Sequence, residues 1–289
     1  MVDDGPRLRC AWQVGRSVVE VQQQSRSPGM HDSVTFLGTS DGLPSPDRHH
    51  ASLLVKFATR TILLDCGEPC SHTLKRMGED FDAIDVVVIS HTHSDHVGGF
   101  PMLMQSMSPE GRRRPLTVWM PGHAIRLVRE WLDACYLFEP LLGFPVKWVA
   151  FDKHSAMRCG PVQLRAFRTT HLDGLRKRFG TSHPAVRFGA FSLLATGDGK
   201  RLAYSADVGA PEDLRSLCEK PLDLLVAELA HFQPRELFEF LQLKDVRRVA
   251  ITHVGRAAHA RLAAVRALAR KVFGPRKTQF ATDGDVVRF

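Results

Sequence analysis

One short segment of the chain concentrates side chains that bind metal ions. Within six consecutive positions it holds three histidines and one aspartate: His91, His93, Asp95 and His96. It directly follows residues 84–89, an apolar run typical of a buried strand. In an extended backbone His91 and His93 point to the same side, and Asp95 and His96 fall in the turn that follows. Imidazole and carboxylate ligands suit zinc, and also manganese or iron, so the segment predicts a metal centre.

Other parts of the chain must contribute ligands, because four side chains on one loop cannot complete two metal sites. Three residues stand directly after predicted strands, as the first segment does: His171, Asp207 and His253. Strands that end at one edge of a sheet would bring these side chains together, although a histidine at a strand end is often only a hydrogen-bonded structural residue. Two adjacent ions lower the pKa of a shared water, so a metal-bridging hydroxide can attack without a Ser or Cys nucleophile.

The surrounding sequence predicts strands and helices that could position these residues. Strands are predicted at 34–37, 50–57, 61–65, 84–89, 116–120, 146–151, 156–159, 162–169, 187–195, 201–205, 222–228, 248–252, 278–281 and 286–288. Helices are predicted at 69–77, 97–107, 124–138, 234–243 and 257–273. In the helix at 124–138 the residues predicted to face inward are Leu127, Trp131, Leu132 and Cys135. Two runs of strands, each followed by helices and without a Pro/Gly-rich linker, indicate one domain with two packed sheets.

Composition places the chain among ordinary globular proteins. It has 289 residues, 44% hydrophobic and 24% charged, and no apolar stretch that reaches the length of a membrane span. Residues 1–30 are polar and lack the apolar core of a secretory signal. We expect either a disordered extension, or upstream translation of a protein whose natural start is Met30, before a domain at 31–289. The six cysteines form no Cys-x-x-Cys pair, which favours a reduced, cytoplasmic protein without a membrane partner.

Positive charge is concentrated near the carboxyl terminus. Residues 245–289 hold ten Lys or Arg against three Asp, or +7 of the formal net charge of +8. Such a local field favours polyanionic partners, but an ordinary solvated helix face accounts for it equally well. Another basic cluster, residues 112–114, lies in a predicted loop.

The metal-binding segment resembles a known signature. His91-Thr92-His93-Ser94-Asp95-His96 matches the His-x-His-x-Asp-His motif of the metallo-β-lactamase superfamily. Residues 36–45 resemble the glycine-rich opening of the ribonuclease Z branch, and residues 63–68 resemble its Asp-Cys-Gly-Glu motif. The resemblance covers about residues 31–289. It implies an α/β fold, the four-layer αββα sandwich of the metallo-β-lactamase fold.

The resemblance also assigns roles to individual residues. Two zinc ions per chain are implied, with Mn²⁺ or Fe²⁺ as alternatives. The first ion would be bound by His91, His93 and His171, and the second by Asp95, His96 and His253, with Asp207 bridging the two. The residues implied in catalysis are Asp95, Asp65, Glu228 and Arg256, of which Asp65 would orient a ligand imidazole. Relatives of this branch are commonly dimers, which makes a homodimer an expectation.

Two features depart from ribonuclease Z. Only 35 residues separate His171 from Asp207, too few for the long arm with which that family grips tRNA. The family's His-Glu-Ala-Thr motif corresponds to residues 227–230, where Glu228 is retained and the histidine is not, although His231 lies nearby. These departures disfavour tRNA 3′ processing but leave metal-dependent hydrolysis in place.

The leading hypothesis is a dinuclear zinc phosphodiesterase that acts on RNA or on a smaller phosphodiester substrate. One alternative is a hydrolase of lactones, thioesters or β-lactams. Another is a non-hydrolytic metal-binding protein of cofactor biosynthesis.

Overall fold

A computed structural model describes residues 31–152, 155–275 and 277–289. The extension predicted at residues 1–30 lies outside the described residues, as do Cys10 and Arg276. Within the described ranges all five cysteines are free. No helix in this part of the chain combines the length and apolarity needed to cross a bilayer.

Seven strands form the first sheet, with the fourteenth strand of the chain at its edge. They are β1 (Ser33–Gly38), β2 (Ser52–Phe57), β3 (Arg60–Leu64), β4 (Val86–Val88), β5 (Leu116–Pro121), β6 (Val146–Phe151) and β14 (Val286–Arg288). Their spatial order is β14-β1-β2-β3-β4-β5-β6. Strands β3 to β6 run parallel to one another. Their carboxyl ends therefore meet at one edge of the sheet, where the segment after β4 begins.

Seven strands also form the second sheet. They are β7 (Ala156–Cys159), β8 (Val162–Arg168), β9 (Phe191–Gly197), β10 (Lys200–Tyr204), β11 (Leu222–Leu229), β12 (Val246–Val254) and β13 (Thr278–Phe280), in the spatial order β13-β12-β11-β10-β9-β8-β7. Strands β10 to β13 are parallel. Strand β9 is antiparallel to both β8 and β10, so β8 ends at the same edge as β10 to β12. This common edge is called the ligand edge below.

Helices cover both outer faces of the sandwich. They are α1 (Cys70–Arg76), α2 (Ser94–Val97), α3 (Phe100–Met107), α4 (Gly122–Ala134), α5 (Glu139–Leu142), α6 (Asp173–Phe179), α7 (Pro234–Gln242), α8 (Arg256–His259) and α9 (Leu262–Phe273). One apolar core lies between the sheets, a second packs α1, α3 and α4 on the first sheet, and a third packs α7 and α9 on the second. The predicted αββα sandwich is confirmed.

The helix predicted at 97–107 is wrong in its boundaries, because two short helices replace it. The break falls at Gly98 and Gly99, where the backbone passes close to another loop. A Cβ on Gly99 would lie 2.6 Å from the carbonyl oxygen of Gly67, a distance that no side chain tolerates. Glycine at this position thus lets the metal-binding segment lie against the loop after β3.

The inward face predicted for the helix at 124–138 is also wrong. The helix ends at Ala134, and its buried face is the i, i+4, i+8 row Ala124, Val128 and Leu132. Leu127 and Trp131 are 51% and 37% exposed. Only Leu132 of the four predicted residues faces the core, because the stripe that packs on the sheet is rotated away from the bulkiest side chains.

Candidate metal centre

The loop after β4 is held in place by one buried carboxylate. Asp65, at the end of β3, is fully buried. Its Oδ1 accepts the Ser90 backbone N–H at 2.7 Å, and its Oδ2 accepts the Ser90 hydroxyl at 2.9 Å. Its backbone N–H donates to the carbonyl of Val88 at 2.8 Å. These bonds fix the start of the loop, so the histidines that follow point across the ligand edge.

A first group of side chains gathers three imidazoles and one carboxylate. His91 Nε2 lies 3.0 Å from His93 Nδ1, and His171 Nε2 lies 3.2 Å from the same atom. Asp207 Oδ2 is 3.5 Å from His171 Nε2 and 3.8 Å from His91 Nε2. Two nitrogens bound to a tetrahedral zinc ion lie about 3.3 Å apart, given bonds of about 2.0–2.1 Å. The spacing of the three ring nitrogens therefore suits a common ion.

A second group lies on the other side of Asp207. Its Oδ1 is 3.2 Å from His96 Nε2 and 3.5 Å from His253 Nε2. Asp95 Oδ2 is 3.4 Å from His96 Nε2 and 3.7 Å from His253 Nε2. In both groups the candidate ligand atoms all lie within 4.8 Å of one another. Asp207 thus presents one oxygen to each group, the arrangement of a carboxylate that bridges two ions.

The local backbone explains how strand ends present these residues. In β12 the pairing with β11 slips, so that Thr252 and His253 stand opposite Glu228 alone, a bulge that re-aims the side chain. His253 has a positive φ of 49°, and Asp65 and Ala206 have φ values of 58° and 46°. Such backbone strain is found preferentially at functional sites, and here it falls at the ends of three strands on the ligand edge.

The centre fits a cation because polar atoms are buried in it without partners. His96 Nε2 and Asp207 Oδ1 are both buried and accept or donate no hydrogen bond among the described residues, although they lie close to each other. Burying two polar atoms without hydrogen bonds costs folding free energy unless a third group interacts with them. An ion between them supplies that group.

Three imidazoles of the first group are in the protonation state that metal binding requires. Burial, followed by the charge of His96, lowers the pKa of His91 well below its usual value. Burial also lowers the pKa of His93 and lowers the pKa of His171 to about 4. These rings are neutral at pH 7 and offer lone pairs to a metal.

Carboxylates dominate the electrostatics of the second group. Burial acts against the charged form of His96, yet Asp207 and Asp65 raise its pKa well above the usual value. Burial likewise opposes ionisation of Asp207, but His253 and His96 hold its pKa well below the usual value. For Asp95, a hydrogen bond and the charge of His96 outweigh burial and lower the pKa. Both carboxylates therefore remain anionic.

A hydrogen-bond network orients the imidazole of His96. Its Nδ1 lies 2.7 Å from Asp65 Oδ2, so that nitrogen carries a proton, and Nε2, which faces Asp207, is the atom that would give up its proton to bind a metal. The same Asp65 oxygen accepts the hydroxyl of Tyr204 at 2.8 Å. Tyr204 is 3% exposed and comes from β10 of the facing sheet. Sequence reasoning missed Tyr204, since nothing local in the sequence connects it to Asp65.

His231, which the sequence places near the motif that lacks its histidine, lies beside the centre. Glu228, 1% exposed, accepts the backbone N–H groups of Val208 and Ala230, each at 2.8 Å. Its Oε1 lies 2.8 Å from His231 Nδ1, and His231 Nε2 lies 3.9 Å from Asp207 Oδ2. Burial opposes protonation of His231, but the hydrogen bond and charge of Glu228 raise its pKa. The sequence signal was the position of His231 directly after the motif that retains Glu228.

Arg256 stands apart from the two groups. It begins α8 and is exposed, and its backbone N–H donates to Asp41 Oδ2 at 3.1 Å. The glycine-rich opening touches the centre through Gly42, where a Cβ would lie 3.4 Å from Asp95 Oδ2. The structure therefore brings together the seven side chains that the sequence singled out as ligands, with Asp65 and Glu228 beside them and Arg256 at the rim.

The fold and this centre are those of a known class. The family model of the beta-lactamase superfamily domain matches residues 60–274, most of the chain, and the chain belongs to that superfamily. Its fold is similar to that of the metallo-beta-lactamase fold protein YhfI from Bacillus subtilis. The TM-score is 0.71 at 18% identity, with 89% of this chain and 99% of that chain covered.

Curated relatives confirm the resemblance to ribonuclease Z. A ribonuclease Z from Alkaliphilus oremlandii is 39% identical over 89 residues, 31% of this chain and 28% of that protein. A ribonuclease Z from Natronomonas pharaonis is 26% identical over 269 residues, 76% of this chain and 86% of that protein. In the first alignment the chain spans less than a third of the relative's length.

Proposed function

We propose that the chain is a metal-dependent phosphodiesterase that holds two zinc ions between its sheets. The observation that carries the proposal is the position of Asp207, with one oxygen facing each group of ligand side chains. Ions bound there would lower the pKa of a water molecule and stabilise negative charge on a phosphoryl oxygen. The likeness to ribonuclease Z, whose name describes cleavage of RNA, supports a phosphodiester substrate.

The chain's own residues complete the chemistry. Asp65 holds His96 in the tautomer that presents Nε2 to the metal. Glu228 holds His231 by Nδ1, which leaves Nε2 directed toward the centre and able to carry a proton. The side chain of His231 is 34% exposed, so a substrate can reach it. We assign His231 the protonation of the leaving oxygen, a step that contributes about 10²–10⁴ to rate when a positioned group performs it.

A small or unstructured phosphodiester fits better than precursor tRNA. The chain between His171 and Asp207 is taken up by α6, β9, β10 and the short segments that join them. Its basic cluster, residues 176–178, lies on a helix of seven residues. With 35 residues between the two candidate ligands, the segment is too short for an arm that could hold a distant part of tRNA.

Metal content and a substrate panel test the proposal. Protein purified without chelator should contain two ions per chain by elemental analysis, and Asp207→Ala should lose both occupancy and activity. Asp133→Ala, an exposed carboxylate on α4, is the matched control and should lose neither. Zinc-loaded protein should hydrolyse bis-p-nitrophenyl phosphate readily and cleave precursor tRNA poorly.

Other outcomes would contradict the proposal in distinct ways. Turnover of a lactone or thioester without turnover of the diester would identify a carboxylic-ester type of hydrolase. Full occupancy with no turnover of any substrate would indicate a non-hydrolytic protein. Specific cleavage of precursor tRNA would show that another surface replaces the arm.

A further inference from the structure

A cavity of about 570 Å³ opens at the ligand edge and is lined in part by Arg168 and Arg187. It lies between the carboxyl ends of β5 and β6 in one sheet and the facing ends of β8 and β9 in the other. Arg168, which lines it, precedes His171 by three residues, so their Cα atoms lie within about 10 Å of each other. The cavity and the candidate metal centre are therefore neighbours on the ligand edge.

Basic side chains converge on this cavity. Arg187 and Arg168 line it together with His123. Arg187 is exposed and makes no hydrogen bond or ion pair with any described residue, whereas Arg168 pairs with Asp173. Burial and then the charge of Arg187 lower the pKa of His123, so its neutral ring can donate one hydrogen bond. Arg187 is thus a cation at the rim without a partner in the part of the chain that the structure describes.

The acidic residue in the described lining is not paired with this cation. Asp152 is hydrogen-bonded within its own turn, where its Oδ1 accepts the Ser155 hydroxyl at 2.7 Å and its N–H donates to the Ser155 oxygen at 2.9 Å. No ion pair joins Asp152 to Arg187 among the described residues. The cavity therefore offers an anion a free guanidinium.

The floor of the cavity is apolar. Phe151 and Phe191 meet edge to face, with ring centroids 4.9 Å apart, and both rings belong to the core between the sheets. Gly189 keeps the space open, since a Cβ there would lie 3.0 Å from the Phe191 ring and 3.3 Å from the His123 ring. The result is a preformed recess of the size typical of ligand sites, about 300–1,000 Å³.

We propose that this recess binds a second phosphate of the substrate, on the nucleotide next to the scissile diester, with Arg187 as the principal contact. The inference rests on the proposed phosphodiesterase function and defines its substrate class. An oligonucleotide with consecutive phosphates would be preferred over an isolated diester. Guanidinium groups suit this task because they bind phosphate by paired, charge-assisted hydrogen bonds.

Matched substrates test the proposal kinetically. A dinucleotide with an additional terminal phosphate, at the 5′ or the 3′ end, is compared with the same dinucleotide without it and with bis-p-nitrophenyl phosphate. Arg187→Ala should raise KM for the phosphorylated dinucleotide roughly tenfold, the effect of losing about 1.4 kcal/mol of binding. In the same variant, KM for each of the two other substrates should change less than about twofold, which corresponds to about 0.4 kcal/mol. Arg187→Lys should restore part of the difference, and Arg247→Ala, an exposed arginine at the opposite end of β12, should have no effect.

A binding measurement keeps the inference separate from the proposed activity. Calorimetry on zinc-loaded protein compares methylphosphonate-linked dinucleotides, which resist hydrolysis, with and without the terminal phosphate. The phosphate should strengthen binding to the unmodified protein and not to Arg187→Ala. Equal affinities for both ligands would overturn the inference even if bis-p-nitrophenyl phosphate is hydrolysed. Absence of diester hydrolysis together with a phosphate-dependent affinity would overturn the proposed function alone.

Discussion

Replacement of Tyr204 by phenylalanine tests whether the network around Asp65 controls the metal centre. The change removes one hydroxyl and keeps the ring that packs between the sheets. Asp65 then loses one of four hydrogen bonds and retains the Ser90 N–H, the Ser90 hydroxyl and His96 Nδ1. Burial, followed by the Asp65 charge, raises the pKa of Tyr204 well above its usual value, so the phenol is a donor at every accessible pH.

The expected loss of stability follows from the hydrogen bonds that Asp65 retains. A hydrogen bond to a charged group contributes about 1.5–3 kcal/mol. Because Asp65 Oδ2 still accepts two other hydrogen bonds, the free energy of unfolding should fall by the lower limit of this range, about 1.5 kcal/mol. Because Asp65 orients His96, we expect zinc affinity to fall roughly tenfold, the lower end of the range for residues that orient a metal ligand.

Competition with a fluorescent chelator measures this zinc affinity, and denaturant unfolding of the metal-free protein measures the stability. Tyr136→Phe is the matched control, since the chain has two tyrosines and Tyr136 is 79% exposed. Ser90→Ala removes a different bond to the same carboxylate and should lower affinity to a similar extent. If Tyr204→Phe binds zinc as tightly as Tyr136→Phe does, the network does not act on the metal centre.

Three further predictions concern other parts of the molecule. His231→Gln should slow hydrolysis of a diester with an alkoxide leaving group about 10²-fold while sparing a nitrophenyl diester; equal losses would argue against proton donation. Removal of metal by a chelator should lower the thermal midpoint, because ions that bind the folded state stabilise it, and calorimetry showing an unchanged midpoint would contradict the site. Charge reversal at Arg266 and Arg270 on α9 should flatten the salt dependence of RNA binding. Identical slopes would leave α9 as an ordinary solvated face.

The position of the candidate ligands could be predicted because it depends on topology. His171 and Asp207 each follow a strand, and His253 is the residue before the last of β12. Strands that run in the same direction end at one edge of a sheet. Period-two and apolar patterns are sufficient to find such strands. That these side chains bind ions stays a prediction, since the pattern places donor atoms without identifying what they hold.

Contacts between distant segments could not be predicted in the same way. Tyr204 and Asp65 meet across the two sheets, and an inward-facing tyrosine in a strand looks like any core residue. His231 reaches the centre because the turn after β11 wraps its backbone around the Glu228 carboxylate. The residue types in that turn do not predict this backbone conformation.

At the basic loop of residues 112–114, the sequence pattern suggests a binding surface that the contacts of its arginines do not support. Three consecutive arginines suggest a surface for polyanions, yet Arg112 is fully buried. Its guanidinium donates to the carbonyls of Phe81 at 2.7 Å and Pro115 at 2.9 Å. Arg114 is paired with Asp85 at 2.6 Å. Backbone acceptors have no sequence signature, so a structural arginine and a binding arginine look alike until the chain is folded.

The division of the candidate ligands along the chain has a consequence for biosynthesis of the proposed metal centre. Four of the seven candidate ligands have been synthesised when translation reaches His96, whereas His253 is added about 150 residues later. At about 5–20 residues per second, the early histidines wait on the order of ten seconds for their last partner. During that interval the nascent chain offers an incomplete set of ligands, which any available metal ion can occupy. For the proposed metal centre, the choice of metal would therefore be exposed to competition during translation, before the finished cleft can exert its own selectivity.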